Sequence, residues 1–183
     1  MLKEIVFITG NEQKFNEAKK LIAPLGYELM QKNPGYPEIQ SSSLEGVARY
    51  GIEHLKKKND TFFLEDSGLF IQALDGFPGV YSKFVFGTIG NEGILTLMKK
   101  MENRNAVFRA VIGFYDGEPK VFKGECKGKI AKELQGSHGF GYDPIFIPRG
   151  SKKTFGAMST HRKNEYSHRG KALKSFVSYL KKR

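Results

Sequence analysis

The chain opens with a short apolar run followed by a helical pattern of apolar positions. Ile5 to Ile8 are apolar and mostly β-branched, and the run stops at Thr9-Gly10-Asn11, which predicts a buried strand that ends in a turn. From Gln13 to Leu25 apolar residues recur at helical spacing, and a proline and a glycine mark the end of the predicted helix. Tyr27 to Gln31 predicts a second strand. The first unit is therefore strand, turn, helix and strand.

A polar segment then separates this unit from a second helix and strand. Residues Lys32 to Ser43 contain two prolines and three consecutive serines, which is typical of an exposed loop. Leu44 to Lys58 has one apolar face and three lysines at its end, which predicts a helix. Thr61 to Leu64 predicts a strand that ends at the acidic pair Glu65-Asp66.

The middle of the chain is predicted to be antiparallel. Leu74 to Gly79 is rich in glycine and proline and predicts a structured turn, and Ile94 to Met101 predicts a short helix. Ala106 to Phe114 and Lys120 to Lys129 flank an Asp-Gly turn, which is a strong signal for a β-hairpin.

The last part of the chain combines a glycine-rich loop with a final helix. Gly136 to Gly141 leads into Tyr142-Asp143-Pro144 and predicts a loop, whereas Ser167 to Lys181 carries its apolar residues on one helical face. Strands alternate with helices, and no internal repeat or linker is found in the sequence. The pattern predicts an α/β protein with a central hairpin.

The length, composition and net charge of the chain predict one domain that binds anionic partners. A chain of 183 residues with 39% hydrophobic content suffices for one sizeable core, so we expect a single domain over residues 1–183. A net charge of +11 favours nucleotides, nucleic acid or acidic surfaces, and charge alone does not choose among them. With one cysteine, no signal peptide pattern and no long apolar run, we expect a cytoplasmic protein that binds no membrane.

The first candidate for chemistry is the turn Thr9-Gly10-Asn11, with Lys14 one helical turn further along. A glycine turn at a helix N-terminus exposes backbone N–H groups and the positive end of the helix dipole, which suits a phosphate. It is not a Walker loop, which requires two glycines and a Gly-Lys-Ser/Thr ending. The alternative is an ordinary strand-to-helix turn with a solvated lysine.

The second candidate is Glu65-Asp66-Ser67-Gly68. Successive strand residues face opposite sides, so one carboxylate can point into a site while the other satisfies neighbouring basic groups. Carboxylate oxygens suit Mg²⁺, which one or two protein carboxylates usually hold together with substrate phosphates. The alternative is an aspartate that makes a local turn hydrogen bond.

Three further features are suggestive only in combination. Glu38 is a lone acid in a loop, for which a solvated role is the simpler interpretation. The loop from Gly139 to Pro144 carries two aromatic rings that could stack on a base or pack internally. Lys163, His168 and Arg169 stand at the start of the last helix, where they could meet a purine or phosphates or simply form part of a basic region.

Six short motifs follow one another along nearly the whole chain. They are Thr9-Gly10-Asn11 with Lys14, Pro37-Glu38, Glu65-Asp66-Ser67-Gly68-Leu69, Pro78-Gly79-Val80-Tyr81-Ser82, Gly139-Phe140-Gly141-Tyr142-Asp143-Pro144, and Lys163-Asn164 with Ser167-His168-Arg169. In this order they resemble the inosine triphosphate pyrophosphatase family, also called Ham1-like proteins. The combination is far more specific than any one motif.

The resemblance implies a Mg²⁺-dependent enzyme that hydrolyses ITP, dITP and XTP to the monophosphate and pyrophosphate, and so removes deaminated purines from the nucleotide pool. It also implies an elongated mixed β-sheet with flanking helices, two lobes around a central cleft, and a homodimer. Nucleic acid is not an expected partner.

The resemblance also assigns roles to residues. Asp66 is implied as the catalytic proton acceptor and, with Glu38, as a metal ligand. The implied substrate-binding residues are Thr9, Gly10, Asn11, Glu12, Gln13, Lys14, Ser67, Phe140, Gly141, Tyr142, Asp143, Lys163, His168 and Arg169. Phe140 would stack on the purine. Whether Arg49 or Glu65 also contributes stays open.

Two other functions compete with this one. A basic nucleic-acid-binding module would explain the charge of +11, and its binding would weaken steeply with salt. A pyrophosphatase that prefers modified pyrimidine nucleotides would use the same phosphate chemistry with a different base pocket.

Overall fold

The computed structural model describes residues 3–37, 39–57 and 61–182. Within them the strands are β1 Lys3–Ile8, β2 Tyr27–Lys32, β3 Phe62–Ile71, β4 Asn105–Tyr115, β5 Pro119–Ile130 and β6 Phe146–Pro148. The α-helices are α1 Glu12–Ile22, α2 Leu44–Leu55, α3 Ser82–Leu97, α4 Thr160–Tyr166 and α5 His168–Leu180. None of the helices in these residues is both long and apolar enough to cross a bilayer.

The strands form one mixed sheet in the order β2-β1-β3-β4-β5-β6. Strand β1 is parallel to both β2 and β3, while β5 and β6 are antiparallel. The adjacent strands β4 and β5 are joined by only three residues, which requires a hairpin because a parallel connection needs a dozen or more. The prediction of an α/β fold with a mixed sheet, flanking helices and a central hairpin is confirmed.

The chain divides into two compact units whose segments interleave in sequence. The first unit comprises Met1–Asp66, Ala110–Lys123 and Lys171–Arg183, and the second comprises Ser67–Arg109 and Gly124–Gly170. Because neither unit is a continuous segment, the expectation of one domain over residues 1–183 stays a prediction.

Each unit has its own aromatic core. In the first unit the rings of Phe7 and Phe63 stack at 4.2 Å, and Phe176 of α5 lies 5.0 Å from Phe63. In the second unit Phe146 lies 4.7 Å from Phe108 and 5.2 Å from Phe155. Removing one such ring from water contributes about 1.5–3 kcal/mol, so each cluster makes a sizeable contribution to the stability of its unit.

Strand β3 is longer than the sequence predicts. It does not end at Leu64 but continues through the acidic pair to Ile71. Gly68 permits this continuation, since a Cβ atom there would lie 2.2 Å from the carbonyl oxygen of Gly79. The next amide, Leu69 N, donates to Ser82 Oγ at 2.8 Å, so the turn that follows supports the strand.

Helix α3 was only partly predicted. The sequence predicts a short helix over Ile94 to Met101, whereas α3 covers Ser82–Leu97 with a break at Gly90, where φ is 60° and ψ is −159°. The first half of α3 escapes prediction because its apolar residues do not keep to one face: Val85 is buried, while Phe84 is 72% exposed.

The half-buried guanidinium of Arg104 links the end of α3 to β5. It donates to Met98 O at 2.8 Å, Ile130 O at 2.8 Å and Ala131 O at 2.5 Å. Burial lowers the pKa of Arg104, because the charged form loses solvation. Three carbonyl groups therefore depend on one side chain.

We expect Arg104→Met to lower the free energy of unfolding by about 2 kcal/mol, because it leaves these carbonyls without their donor. Urea titration followed by circular dichroism measures the change. Arg109→Met is the matched control, because Arg109 pairs with Glu125 at 2.9 Å at the surface and should cost below about 1 kcal/mol. Equal losses in the two variants would contradict the assigned role of Arg104.

Candidate active site

The parallel register of β1 and β3 positions the first group of candidate residues. Val6 pairs with Phe62, Phe7 with Phe63 and Ile8 with Leu64. The next residues along β1 are the turn from Thr9, and the next along β3 are Glu65 and Asp66. The carboxyl end of β1 and the start of α1 therefore lie beside the acidic pair, all within the first unit.

The turn itself is fixed by side-chain hydrogen bonds. Asn11 caps α1, because its Oδ1 accepts from Lys14 N at 3.0 Å, and Asn11 N donates to Thr9 Oγ1 at 3.1 Å. Gln31 Nε2 donates to Thr9 O at 3.0 Å from the neighbouring strand β2. The first N–H groups of a helix have no acceptor within the helix, so those of the first turn can bind an anion.

Lys14 is not the solvated lysine of the simpler interpretation. Its Nζ lies 2.6 Å from Glu65 Oε2 and donates to Glu65 O at 3.3 Å. The Glu65 side chain is only 1% exposed, and that of Lys14 is 16% exposed. At 2.6 Å the Lys14 ammonium compensates the charge of the Glu65 carboxylate. A buried carboxylate requires such compensation.

Asp66 follows Glu65 in β3 and is partly exposed, whereas Glu65 is buried. Strand alternation directs the two carboxylates to opposite sides of the sheet. Glu65 pairs with a neighbouring basic group, Lys14, as the sequence suggested for one of the two. Glu38, the other predicted metal ligand, lies outside the described residues.

A metal site built only of protein ligands is not found in residues 3–37, 39–57 and 61–182, where no three His, Cys, Asp or Glu side chains cluster suitably. Mg²⁺ commonly takes one or two protein carboxylates and fills its remaining positions with water and phosphate oxygens. Asp66 offers a partly exposed carboxylate beside the turn at the start of α1.

The second group of candidate residues lies in the second unit and centres on Asp143. Asp143 Oδ2 accepts from Phe140 N at 2.9 Å and from Lys163 Nζ at 2.7 Å. The loop approaches the carboxylate so closely that a Cβ atom on Gly139 would lie 2.0 Å from Oδ2. Gly139 also has φ of +78°, so glycine is required here on two grounds.

Two cations flank the half-buried ring of Phe140. Lys163 Nζ lies 5.0 Å and Arg169 Cζ 5.1 Å from the ring centroid, within cation–π range. Arg169 also donates from its guanidinium to Ser67 Oγ at 3.4 Å. The structure thus brings together four predicted residues, Ser67, Phe140, Lys163 and Arg169.

His168 and Tyr142 are held by packing. The His168 ring stacks on Phe108 at 4.5 Å with 7° between the planes. Tyr142 is buried, lies 5.3 Å from the ring of Phe86, and donates its hydroxyl to Ser82 O at 3.2 Å. Burial raises the pKa of Tyr142 to about 12.

Two placements differ from the sequence interpretation. Lys163 belongs to the separate helix α4 and not to the start of the last helix. Arg49, whose contribution was left open, lies on α2, where its exposed side chain pairs with Glu45 at 2.9 Å.

Sequence reasoning missed several supporting residues. Asn91 Nδ2 donates to Gly141 O at 3.1 Å and so ties α3 to the Phe140–Asp143 loop. Ser82 Oγ donates to Gly79 O at 2.7 Å, which fixes the turn beside Ser67-Gly68. The Pro78–Ser82 motif was a signal for Ser82, but nothing local marks Asn91.

The fold and these residues define an α/β protein with a capped strand-to-helix turn beside two carboxylates and a separate aromatic and cationic loop. A family model described as the Ham1 family matches residues 5–179. The chain belongs to the Ham1 family.

Similar proteins span almost the same length. A protein of Thermococcus kodakarensis named dITP/XTP pyrophosphatase is 52% identical, with 97% of each chain covered. A protein of the same name from Pyrococcus horikoshii is 53% identical, also with 97% of each chain covered. Among solved structures, a HAM1 protein from Coxiella burnetii superimposes with a TM-score of 0.88 at 29% identity, covering 99% of this chain and 100% of that one.

The Tyr142 hydroxyl predicts a pH dependence of stability. Its pKa is about 12 in the folded chain and about 10 when unfolded, so the folded state binds the proton more tightly. This contribution is complete below pH 10 and is lost as the pH rises to 12.

We therefore expect the wild type to lose more unfolding free energy than Tyr142→Phe between pH about 9 and about 11.5, as measured by urea titration. Tyr50→Phe, at a half-buried residue of α2, should retain the wild-type pH dependence. Parallel profiles for wild type and Tyr142→Phe would contradict this assignment.

Proposed function

We propose that this protein hydrolyses dITP, ITP and XTP to the nucleoside monophosphate and pyrophosphate. The observation that carries the proposal is the position of the Lys14 ammonium and the N-terminus of α1 beside the Glu65-Asp66 pair. The names of the similar archaeal proteins support the same activity. The predicted sites fall into two groups, and each group suits one part of such a substrate.

The first group suits the phosphates. A nucleoside triphosphate brings about four negative charges near neutral pH, and binding requires these to be compensated. Residues Thr9 to Lys14 supply the positive end of the helix dipole, one ammonium, and first-turn N–H groups other than that of Lys14, which donates to Asn11 Oδ1.

Asp66 and Glu38 are the proposed ligands of Mg²⁺, and Asp66 is also the catalytic base. When bound, the ion supplies positive charge to the phosphate oxygens and makes a bound water more acidic. Water attacks the α-phosphorus while Asp66 accepts its proton, and the bond from this phosphorus to the bridging oxygen breaks. Pyrophosphate leaves with the electron pair, and the monophosphate retains the oxygen from water.

The second group suits the base. Phe140 offers a ring for stacking, and the cations beside it carry donors. Hypoxanthine and xanthine present a carbonyl oxygen at C6 where adenine presents an amino group. We assign the buried Arg169 guanidinium as the hydrogen-bond donor to O6. If adenine were bound, this guanidinium would face the amino group of adenine, which is also a donor, and would lack an acceptor.

The proposed substrate also indicates where in the cell the enzyme acts and which partners it has. Free nucleotides are cytoplasmic, so we place the enzyme there, as one domain over residues 1–183 with a small-molecule substrate, no membrane partner and no nucleic acid. A nucleic-acid-binding module would leave the carboxylates of Glu38 and Asp66 without a role, whereas the proposed hydrolysis uses both.

We further propose a homodimer through an apolar surface of the second unit. Five apolar side chains between residues 77 and 89 are each more than a third exposed, namely Phe77, Tyr81, Phe84, Phe86 and Ile89. This segment contains one charged residue, Lys83, in a chain of net charge +11. A second copy can cover an almost uncharged surface without electrostatic repulsion, which makes it a suitable occupant.

Pyrophosphate release tests the activity. Purified protein is incubated with ITP, XTP, ATP, GTP and UTP, with and without Mg²⁺, and inorganic pyrophosphatase converts the product to phosphate for colorimetric detection. We expect release from ITP and XTP that requires the metal and exceeds release from ATP at least about 100-fold, because an unpaired donor opposes adenine.

Asp66→Asn is nearly isosteric and removes the proton acceptor, so we expect turnover to fall at least about 1,000-fold in a folded protein. Glu28→Gln, an exposed change on β2, should retain wild-type turnover. Absence of release from every triphosphate would exclude the proposed activity. Preferential release from UTP would indicate a pyrimidine pyrophosphatase.

The dimer is tested separately by light scattering during gel filtration. We expect Phe84→Glu to convert a dimer to a monomer, because two like charges would be buried at the symmetric contact. Met30→Glu, at another exposed apolar residue in the first unit, should stay dimeric. A monomeric wild type, or a dimeric Phe84→Glu variant, would rule out this surface.

A further inference from the structure

The proposed function assigns Lys14 to the phosphates but assigns nothing to the carboxylate that holds it. Glu65 lies in β3 and Lys14 in the first turn of α1, 51 residues apart in the chain. Both belong to the first unit, so this contact is defined by the structure of that unit alone.

The ammonium has three N–H donors, and Glu65 provides two acceptors for them. Its carboxylate oxygen Oε2 lies 2.6 Å from Nζ, and its backbone carbonyl oxygen lies 3.3 Å from Nζ. The Glu65 side chain is 1% exposed, whereas the Lys14 side chain retains 16% exposure. One donor direction of the ammonium therefore remains for another ligand.

The backbone end of Lys14 is fixed as well, since Lys14 N donates to the N-cap side chain of Asn11 at 3.0 Å. A lysine side chain otherwise samples many rotamers, and ordering it on a ligand weakens binding. With both ends held, Lys14 has little freedom left to lose when a polyphosphate binds.

We propose that Glu65 is a positioning residue that holds the Lys14 ammonium ready for the polyphosphate of the substrate. This inference rests on the proposed function only for the identity of the substrate. Glu65 touches no reacting atom in this scheme, because it acts through Lys14.

Removing the Glu65 charge has two opposing effects on the affinity for an anion. The direction in which Kd changes therefore distinguishes between them. If Glu65 only reduced the positive potential of the site, its neutralisation would strengthen binding of an anion. If Glu65 holds the ammonium in place, its neutralisation weakens binding because Lys14 becomes mobile. The direct contact at 2.6 Å favours the second effect, since a phosphate lies beyond the ammonium and feels the Glu65 charge at longer range.

The test uses the full chain with Glu65→Gln, Glu65→Asp, Lys14→Met and the double variant Lys14→Met/Glu65→Gln. Binding of inorganic tripolyphosphate is measured by calorimetry, and KM and kcat are measured with ITP at constant ionic strength. We expect Glu65→Gln to raise both Kd and KM about tenfold with kcat within about twofold, because the lost interaction is made in the ground and transition states alike.

The variant Glu65→Asp distinguishes the position of the carboxylate from its negative charge. It keeps the carboxylate but shortens the side chain, so the ammonium is drawn away from its place. We expect the weaker binding to persist in Glu65→Asp. In the Lys14→Met background, Glu65→Gln should not raise Kd or KM any further, because the residue through which Glu65 acts is absent.

Glu53→Gln is the matched control. Glu53 pairs with Lys56 at the same 2.6 Å and in the same unit, but its side chain is 58% exposed. This variant should bind tripolyphosphate like the wild type. Thermal unfolding of every variant reports stability separately, so a purely structural Glu65 would lower the unfolding temperature and leave Kd unchanged.

An unchanged or lower Kd in Glu65→Gln, or an equal effect of Glu65→Gln with and without Lys14, would overturn the proposal. The calorimetric arm does not depend on turnover. If the wild type released no pyrophosphate, the proposed function would fail, while tripolyphosphate binding would still decide whether Glu65 positions Lys14.

Discussion

The parallel pairing of β1 with β3 is the constraint on which the candidate phosphate site depends. It aligns the end of one strand with a buried glutamate of the next, and so brings the first turn of α1 to the acidic pair. A shift of one residue would turn Glu65 to the other side of the sheet and leave Lys14 without its carboxylate. The stacked rings of Phe7 and Phe63, which pair directly in this register, oppose such a shift.

In the second unit, side chains hold the loop that carries Phe140. A loop must hold an aromatic ring at a defined place, and loops have few backbone hydrogen bonds to do so. Asp143 accepts from the loop backbone at Phe140 and from Lys163, while Asn91 binds the loop carbonyl of Gly141. In both units a buried carboxylate holds a lysine, and in both the lysine belongs to a predicted binding residue set.

The cations that give the chain its net positive charge differ in exposure from the cations assigned to substrate binding. Most of the excess of +11 comes from exposed lysines and arginines, which favour anionic partners in general. The cations assigned to substrate are instead mostly buried, as Lys163 at 5% and Arg169 at 3% exposure show. Such groups are fixed before a ligand arrives, which reduces the ordering that binding requires.

The sequence by itself determined the class of the fold, most of the helices and strands, the hairpin from β4 to β5, and the family, because periodicity, turn residues and ordered motifs are local signals. Tertiary structure decided that β3 runs through Glu65 and Asp66, that Lys14 reaches Glu65 across 51 residues, and that Lys163 and Arg169 both lie beside the ring of Phe140. Local patterns cannot give these contacts, because strand register and close approaches such as Gly68 against Gly79 are set by residues distant in the chain.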